Sequence, residues 1–132
     1  MEIPTLLLVD DIKLFYHLVC DILEEKHYNI LYAKNGPDAL VMAEEKQPDL
    51  ILLDVMMPGM DGYEVCQRLK KNVKTNSIPV IFLSARAHEQ EIQKGLDAGA
   101  QGYITKPFRK NDFILQIENT LATSKKSTEI KN

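Results

Sequence analysis

The sequence is short of positive charge. Its 16 lysines and arginines are outnumbered by 19 aspartates and glutamates, for a formal net charge of −3, whereas a domain that grips nucleic acid needs a basic surface. Direct nucleic-acid contact by this segment is therefore not expected. Long apolar runs are missing too. The longest, Thr5–Val9 and Leu50–Leu53, stop at aspartates, far short of the roughly 18 to 20 residues of a membrane-crossing helix. The first residues carry no basic segment, apolar core or small-residue cleavage site of a secretory leader. A cytoplasmic location away from the membrane is expected. Cys20 and Cys66 lie far apart without CxxC or Cys/His spacing, which reads as two reduced core thiols on helices. His17, His27 and His88 have no carboxylate or cysteine at metal-ligand spacing and read as solvated side chains. No internal repeat marks a solenoid.

What is present is ordinary for one globular domain: 132 residues, 45% hydrophobic and 27% charged. Short β-rich runs alternate with helical periodicity. Thr5–Val9 reads as a buried strand, and Ile12, Phe15, Val19, Ile22 and Leu23 then predict a helix to about Lys26. Tyr28–Ala33 is a second strand. Asn35-Gly36-Pro37 opens a helix that Gln47-Pro48 breaks. Leu50–Leu53 is the third strand, 57–62 a loop, and Val65, Cys66, Leu69 and Val73 predict a third helix, with Lys70-Lys71 on its solvated face. Pro79–Leu83 is strand four, His88–Ala98 a helix ended by Gly99, and Gly102–Thr105 strand five. Phe113, Ile117 and Leu121 share one face of a last helix, and the polar stretch from Thr123 to Asn132 has nothing to bury. The domain is taken as 1–124, with 125–132 a polar tail or the start of a linker.

Continuous apolar strands imply a parallel sheet covered by helices on both faces, with right-handed crossovers. Such α/β sheets bind ligands beyond the carboxyl ends of their strands. The residues there are Asp10 and Asp11 after strand one, Asp54 after strand three, Ser84 after strand four and Lys106 after strand five. Each aspartate alone could be a helix cap. Together, three carboxylates repel unless a cation or a lysine stabilises them. An all-oxygen site with open positions suits Mg²⁺ and a partner phosphate. Lys106 and Ser84 add donors for phosphoryl oxygens, and a carboxylate in line with a phosphoryl group can act as nucleophile. Asp54 is the best placed for that role.

Four stretches, Leu8-Val9-Asp10-Asp11, Leu53 through Gly62, Val80 through Ala85 and Tyr103 through Phe108, occur in this order at the predicted strand ends. On these the chain resembles the receiver (response-regulator) family of two-component signal transduction over roughly Thr5–Leu121. The resemblance, and not the patterning, implies the flavodoxin-like strand order 2-1-3-4-5 with five helices. It further implies that Asp54 is the phosphoacceptor and that Asp11, Asp54 and the Met56 carbonyl hold Mg²⁺, with Asp10 reaching it through water. Lys106 and Ser84 would grip the phosphoryl oxygens. Tyr103 would turn inward as Ser84 moves and alter the face of helix four, strand five and helix five, and the Lys106-Pro107 bond would be cis. Met56 and Arg86, each two residues beyond a site residue, are expected to tune hydrolysis, Arg86 by lying across the phosphoryl oxygens. The implied partners are a sensor histidine kinase or histidine phosphotransfer protein and a downstream effector, and the chain would catalyse only its own phosphorylation and slow dephosphorylation.

A flavin-binding module on the same sheet is disfavoured because Asp10-Asp11 would repel the flavin phosphate. An aspartyl-phosphatase would place its nucleophile in an Asp-x-Asp pattern after strand one, which is missing. A degenerate receiver acting only by protein binding is disfavoured by Asp54 and Lys106. Receivers joined to winged-helix DNA-binding domains pair through an acidic dipeptide at strand five and an arginine in helix five. Gln101-Gly102 and Gln116 depart from that pattern, although a phosphorylation-dependent homodimer of another kind is compatible with the resemblance.

Overall fold

The computed structural model describes the backbone of residues 3–131 and the side chains through Ser124. Ten regular elements alternate: β1 (Thr5–Val9), α1 (Lys13–Ile22), β2 (Asn29–Ala33), α2 (Gly36–Lys46), β3 (Leu50–Asp54), α3 (Gly62–Lys71), β4 (Val80–Ser84), α4 (Glu89–Asp97), β5 (Gly102–Thr105) and α5 (Lys110–Lys131). The strands form one parallel sheet in the order β2-β1-β3-β4-β5, as the resemblance implies. The central strands β3 and β4 are buried throughout, and the edge strand β5 alternates. That is why β3 and β4 read as unbroken apolar runs.

Alternation along the strands splits the core in two. Leu6, Leu8, Leu50, Leu52, Ile81 and Leu83 pack with Val19 of α1 and Phe113 and Ile117 of α5. Leu7, Val9, Ile51, Leu53 and Phe82 face α2 and α3 through Ala39, Ala43, Val65, Cys66 and Leu69. Side chains start both helices on that second face: Asn35 accepts from the Asp38 amide at 2.8 Å and Asp61 from the Glu64 amide at 2.9 Å. Gly95 lets α4 lie close to the sheet, since a Cβ there would come within 2.9 Å of Phe82 and 3.1 Å of Tyr103.

Several expectations are corrected. Regular helix in α1 ends at Ile22, not Lys26; Leu23 leaves helical geometry at φ −97° and ψ 7°, and Glu24–Lys26 wind a 3₁₀ turn before His27 turns left-handed. The chain must reverse there to lay β2 beside β1, so apolar spacing stops predicting helix. Val73 is not a helix-face residue: it is 85% exposed, because α3 ends at Lys71 and extended Asn72 accepts the Lys74 amide at 3.0 Å. Thr75 is buried in that loop instead, its hydroxyl donating to the Leu69 carbonyl at 2.8 Å. Lys70 is not on a solvated face. Its Nζ donates to the Ile78 carbonyl at 2.7 Å, and burial lowers its pKa. α5 continues as helical backbone to Lys131 across most of the stretch read as a polar tail, whose side chains from 125 on and Asn132 lie outside the described residues.

Both cysteines lie on helices, Cys20 half-buried and Cys66 buried. Burial pushes the Cys66 thiol up to about 11. The three histidines are exposed. No helix among the described residues is long and apolar enough to cross a membrane.

Candidate functional site

Parallel strands deliver their carboxyl ends to one edge, and that edge holds the acidic residues. Asp54 closes β3, and Asp10 and Asp11 follow β1, its neighbour in the sheet. One carboxylate oxygen from each lies within 4.8 Å of the others. Asp10 is 1% exposed, Asp54 7%, and Asp11 is open to solvent. Asp10 is held firmly: its Oδ1 accepts the Ile12 amide at 2.8 Å, and its main-chain carbonyl accepts the Tyr32 hydroxyl at 2.8 Å. The N-cap of α1 is Ile12 without a side-chain cap, so neither aspartate serves as a helix cap there.

Lys106, after β5, enters from the other side. Its Nζ is 3.1 Å from Asp10 and 3.9 Å from Asp54. One ammonium among three carboxylates leaves the cluster short of positive charge. Asp54 records the deficit: its pKa is pushed up to about 6, chiefly by burial and further by Asp10 and Asp11, against the lowering pull of Lys106 and of the Met56 amide, which approaches Asp54 Oδ1 at 3.4 Å. The donors are oxygens of hard carboxylates, with no sulfur or imidazole among them. That chemistry fits Mg²⁺ and does not fit a soft metal.

Ser84, at the end of β4, is fully buried, and its Oγ accepts the Arg86 amide at 3.1 Å. The Arg86 carbonyl accepts the Tyr103 hydroxyl at 2.9 Å. The Arg86 guanidinium lies 3.9 Å from Glu91 of α4, and the Met56 side chain is exposed. The structure thus brings Asp10, Asp11, Asp54 and Lys106 into one cluster and joins Ser84 to Tyr103 through the Arg86 backbone. The Lys106-Pro107 bond is cis.

Three further residues complete the site. Tyr32 fixes the Asp10 carbonyl from β2. Gly62 donates its amide to the Val55 carbonyl at 2.9 Å and lies so close to the Asp54 carbonyl that no Cβ fits; within the 57–62 stretch read as a loop, nothing local marked that approach. Phe15 places its ring against Lys106, which its helical spacing gave no reason to expect.

The sequence matches the response regulator receiver domain over residues 6–118. It is 42% identical over 120 residues to histidine kinase P4 of Formosa agariphila, covering 91% of this chain and 9% of that protein. It is 38% identical over 118 residues to the DNA-binding dual master transcriptional regulator RpaA of Synechocystis, covering 89% of this chain and 49% of that protein. The chain therefore spans about half, or far less, of the length of these relatives. Among solved structures, the signal receiver domain of a signal transduction histidine kinase from Syntrophus aciditrophicus superimposes with a TM-score of 0.83 at 32% identity, covering 91% of each chain. A CheY-like receiver domain from Methanospirillum hungatei gives 0.88 at 26% identity over 96% of this chain and 99% of its own. With a parallel sheet in the order 2-1-3-4-5, an acidic cluster at its carboxyl edge and a family match along most of its length, this chain belongs to the response regulator receiver domain family.

Proposed function

We propose that this receiver accepts a phosphoryl group on Asp54 from a sensor histidine kinase or histidine phosphotransfer protein in the cytoplasm and passes the signal to an effector. The observation that carries this reading is the carboxylate cluster with Lys106 set against two of its members. Asp10, Asp11, Asp54 and the Met56 carbonyl would hold Mg²⁺, which when bound neutralises the cluster and draws phosphoryl oxygens toward it. An Asp54 oxygen attacks phosphorus; the donor's bond to phosphorus breaks as the acyl phosphate forms, and the donor leaves with its electron pair. The Lys106 ammonium and the Ser84 hydroxyl donate to the transferred oxygens. The chain thus acts on itself and turns over no separate substrate.

Once Ser84 turns its hydroxyl to the phosphoryl group, its bond with the Arg86 amide is given up. The carbonyl of that same residue holds the Tyr103 hydroxyl. The switch therefore runs from Ser84 through the Arg86 backbone to Tyr103, which turns inward and reshapes the face of α4, β5 and α5 that the effector reads.

Acetyl phosphate with Mg²⁺ is expected to add one phosphoryl group, acid-stable and base-labile, to the Asp54 peptide. Intact-mass and fragment spectra check this, and a label on any other residue overturns the assignment. The lifetime of the label depends on a water reaching the far side of phosphorus. Met56 offers that water no amide or carboxylate, and Arg86 can leave Glu91 to cover the phosphoryl oxygens. Met56→Asn combined with Arg86→Glu is expected to speed loss of label several-fold, up to roughly the tenfold that ~1.4 kcal/mol of barrier represents. Phosphate release after donor removal measures it; an unchanged decay removes both residues from the account.

A further inference from the structure

Among the described residues the Lys106 ammonium lies against two carboxylates and an aromatic ring. The Nζ is 3.1 Å from Asp10 and 3.9 Å from Asp54, and it also sits 3.9 Å from the centroid of the Phe15 ring. The carboxylates supply charge complementarity but little direction, because an ammonium is a compact point charge on a flexible stem. An aromatic face supplies direction: its negative potential attracts the cation along the ring normal.

The ring is itself held in place. Phe15 meets Phe108 edge-on, with centroids 6.2 Å apart and planes at 79°. Phe108 stacks on Phe113 at 4.4 Å and 12°, and Phe113, on α5, is fully buried against the sheet. A chain of three rings therefore runs from the core to the site lysine. A leucine could fill much of the Phe15 space, but it would offer the ammonium no π face.

We propose that Phe15 is a positioning residue for phosphoryl transfer, its ring holding the Lys106 ammonium beside Asp10 and Asp54 where the incoming phosphoryl oxygens arrive. The proposal rests on the phosphoacceptor reading of Asp54. Phe15 touches no reacting atom and acts only through Lys106, so it is to be distinguished from a residue that merely packs.

Two variants separate these roles: Phe15→Leu removes the ring, and Phe15→Tyr keeps it. In the unphosphorylated protein, the Lys106 ε-methylene proton signals are expected to be ring-current shifted upfield in the parent and in Phe15→Tyr, and to return to ordinary lysine positions in Phe15→Leu. With acetyl phosphate and Mg²⁺, Phe15→Leu is expected to lower the second-order rate constant of labelling about fivefold, equal to ~1 kcal/mol at 1.36 kcal/mol per decade. Phe15→Tyr should label at the parent rate, and all three proteins should bind Mg²⁺ alike. Unshifted Lys106 signals in the parent, parent-like labelling of Phe15→Leu, or equal slowing in both variants each overturns the proposal. A loss of Mg²⁺ affinity in Phe15→Leu also overturns it, since the variant is then damaged generally. No label on Asp54 in the parent sinks the phosphoacceptor reading and this proposal with it, whereas a labelled parent matched by Phe15→Leu sinks the positioning role alone.

Discussion

Asp54→Asn is expected to abolish labelling by acetyl phosphate and, at neutral pH in chelator, to melt higher than the parent. The first effect follows from replacing the nucleophile by an amide. The second follows from the strain of ionising a buried carboxylate beside two others. The folded-state pKa of Asp54, about 6, is raised above the ordinary 3.8. Folding therefore favours the protonated form: the stability it contributes is fully present below about pH 4 and is lost as pH rises through 6. Above pH 6 the parent carries the cost of the buried charge and the asparagine variant does not. At 1.36 kcal/mol per unit the shift corresponds to ~3 kcal/mol, which solvent screening at the open edge of the site reduces to about 1–2 kcal/mol, a rise of several degrees for a domain of this size. Melts in chelator from pH 4 to 8 check it. The gain should shrink toward zero at the acid end. A variant that melts lower than the parent at pH 7, or gains equally at both ends, contradicts the electrostatic account. A variant that labels like the parent contradicts the phosphoacceptor reading.

Asp11→Ala is expected to separate function from folding just as sharply. Asp11 is exposed and lies within 4.8 Å of the other two carboxylates, and its charge helps to raise the Asp54 pKa. Its removal takes away a repulsive partner, so the melting midpoint in chelator should stay level or rise slightly. On the proposed function it also takes away a metal ligand, so Mg²⁺ should no longer raise the midpoint as it is expected to in the parent, and Mg²⁺-dependent labelling should fall by about 100-fold or more, the scale on which a loss of ~3 kcal/mol of transition-state stabilisation is read. Thermal melts with and without Mg²⁺, run beside label incorporation, decide the matter. A much lower midpoint in chelator would make Asp11 structural, and a full Mg²⁺ response would remove it from the metal site.

How much of this was legible in the residues differs from element to element. β3 and β4 were plain because a strand buried on both faces must be apolar at every position, and the start of α2 because Pro37 suits only the first turn of a helix; the cap that starts α3, Asp61, lies inside the stretch read as a loop. Asp10, Asp11, Asp54 and Lys106 could be placed on one edge before any coordinates, since parallel strands must all end on the same side. Val73, Lys70 and the end of α1 could not be read correctly. Periodicity describes a helix while it lasts and is blind to where tertiary contacts stop it. Lys70 beside Lys71 looks like a solvated face until the Ile78 carbonyl, eight residues on, takes its ammonium.

The sequence by itself determined the alternation of strands and helices, the acidic edge and its lysine, because these depend on local periodicity and on residue identity at strand ends. Only the tertiary structure decided which groups around that edge touch one another. Tyr32 reaching the Asp10 carbonyl, Phe15 lying against an ammonium 91 positions away, and Gly62 pressed on Asp54 are contacts between segments whose local patterns carry no mark of each other. Packing of α1 and α5 on one face and of α2 and α3 on the other fixes those distances, and a distance between remote residues is a property of the packed chain.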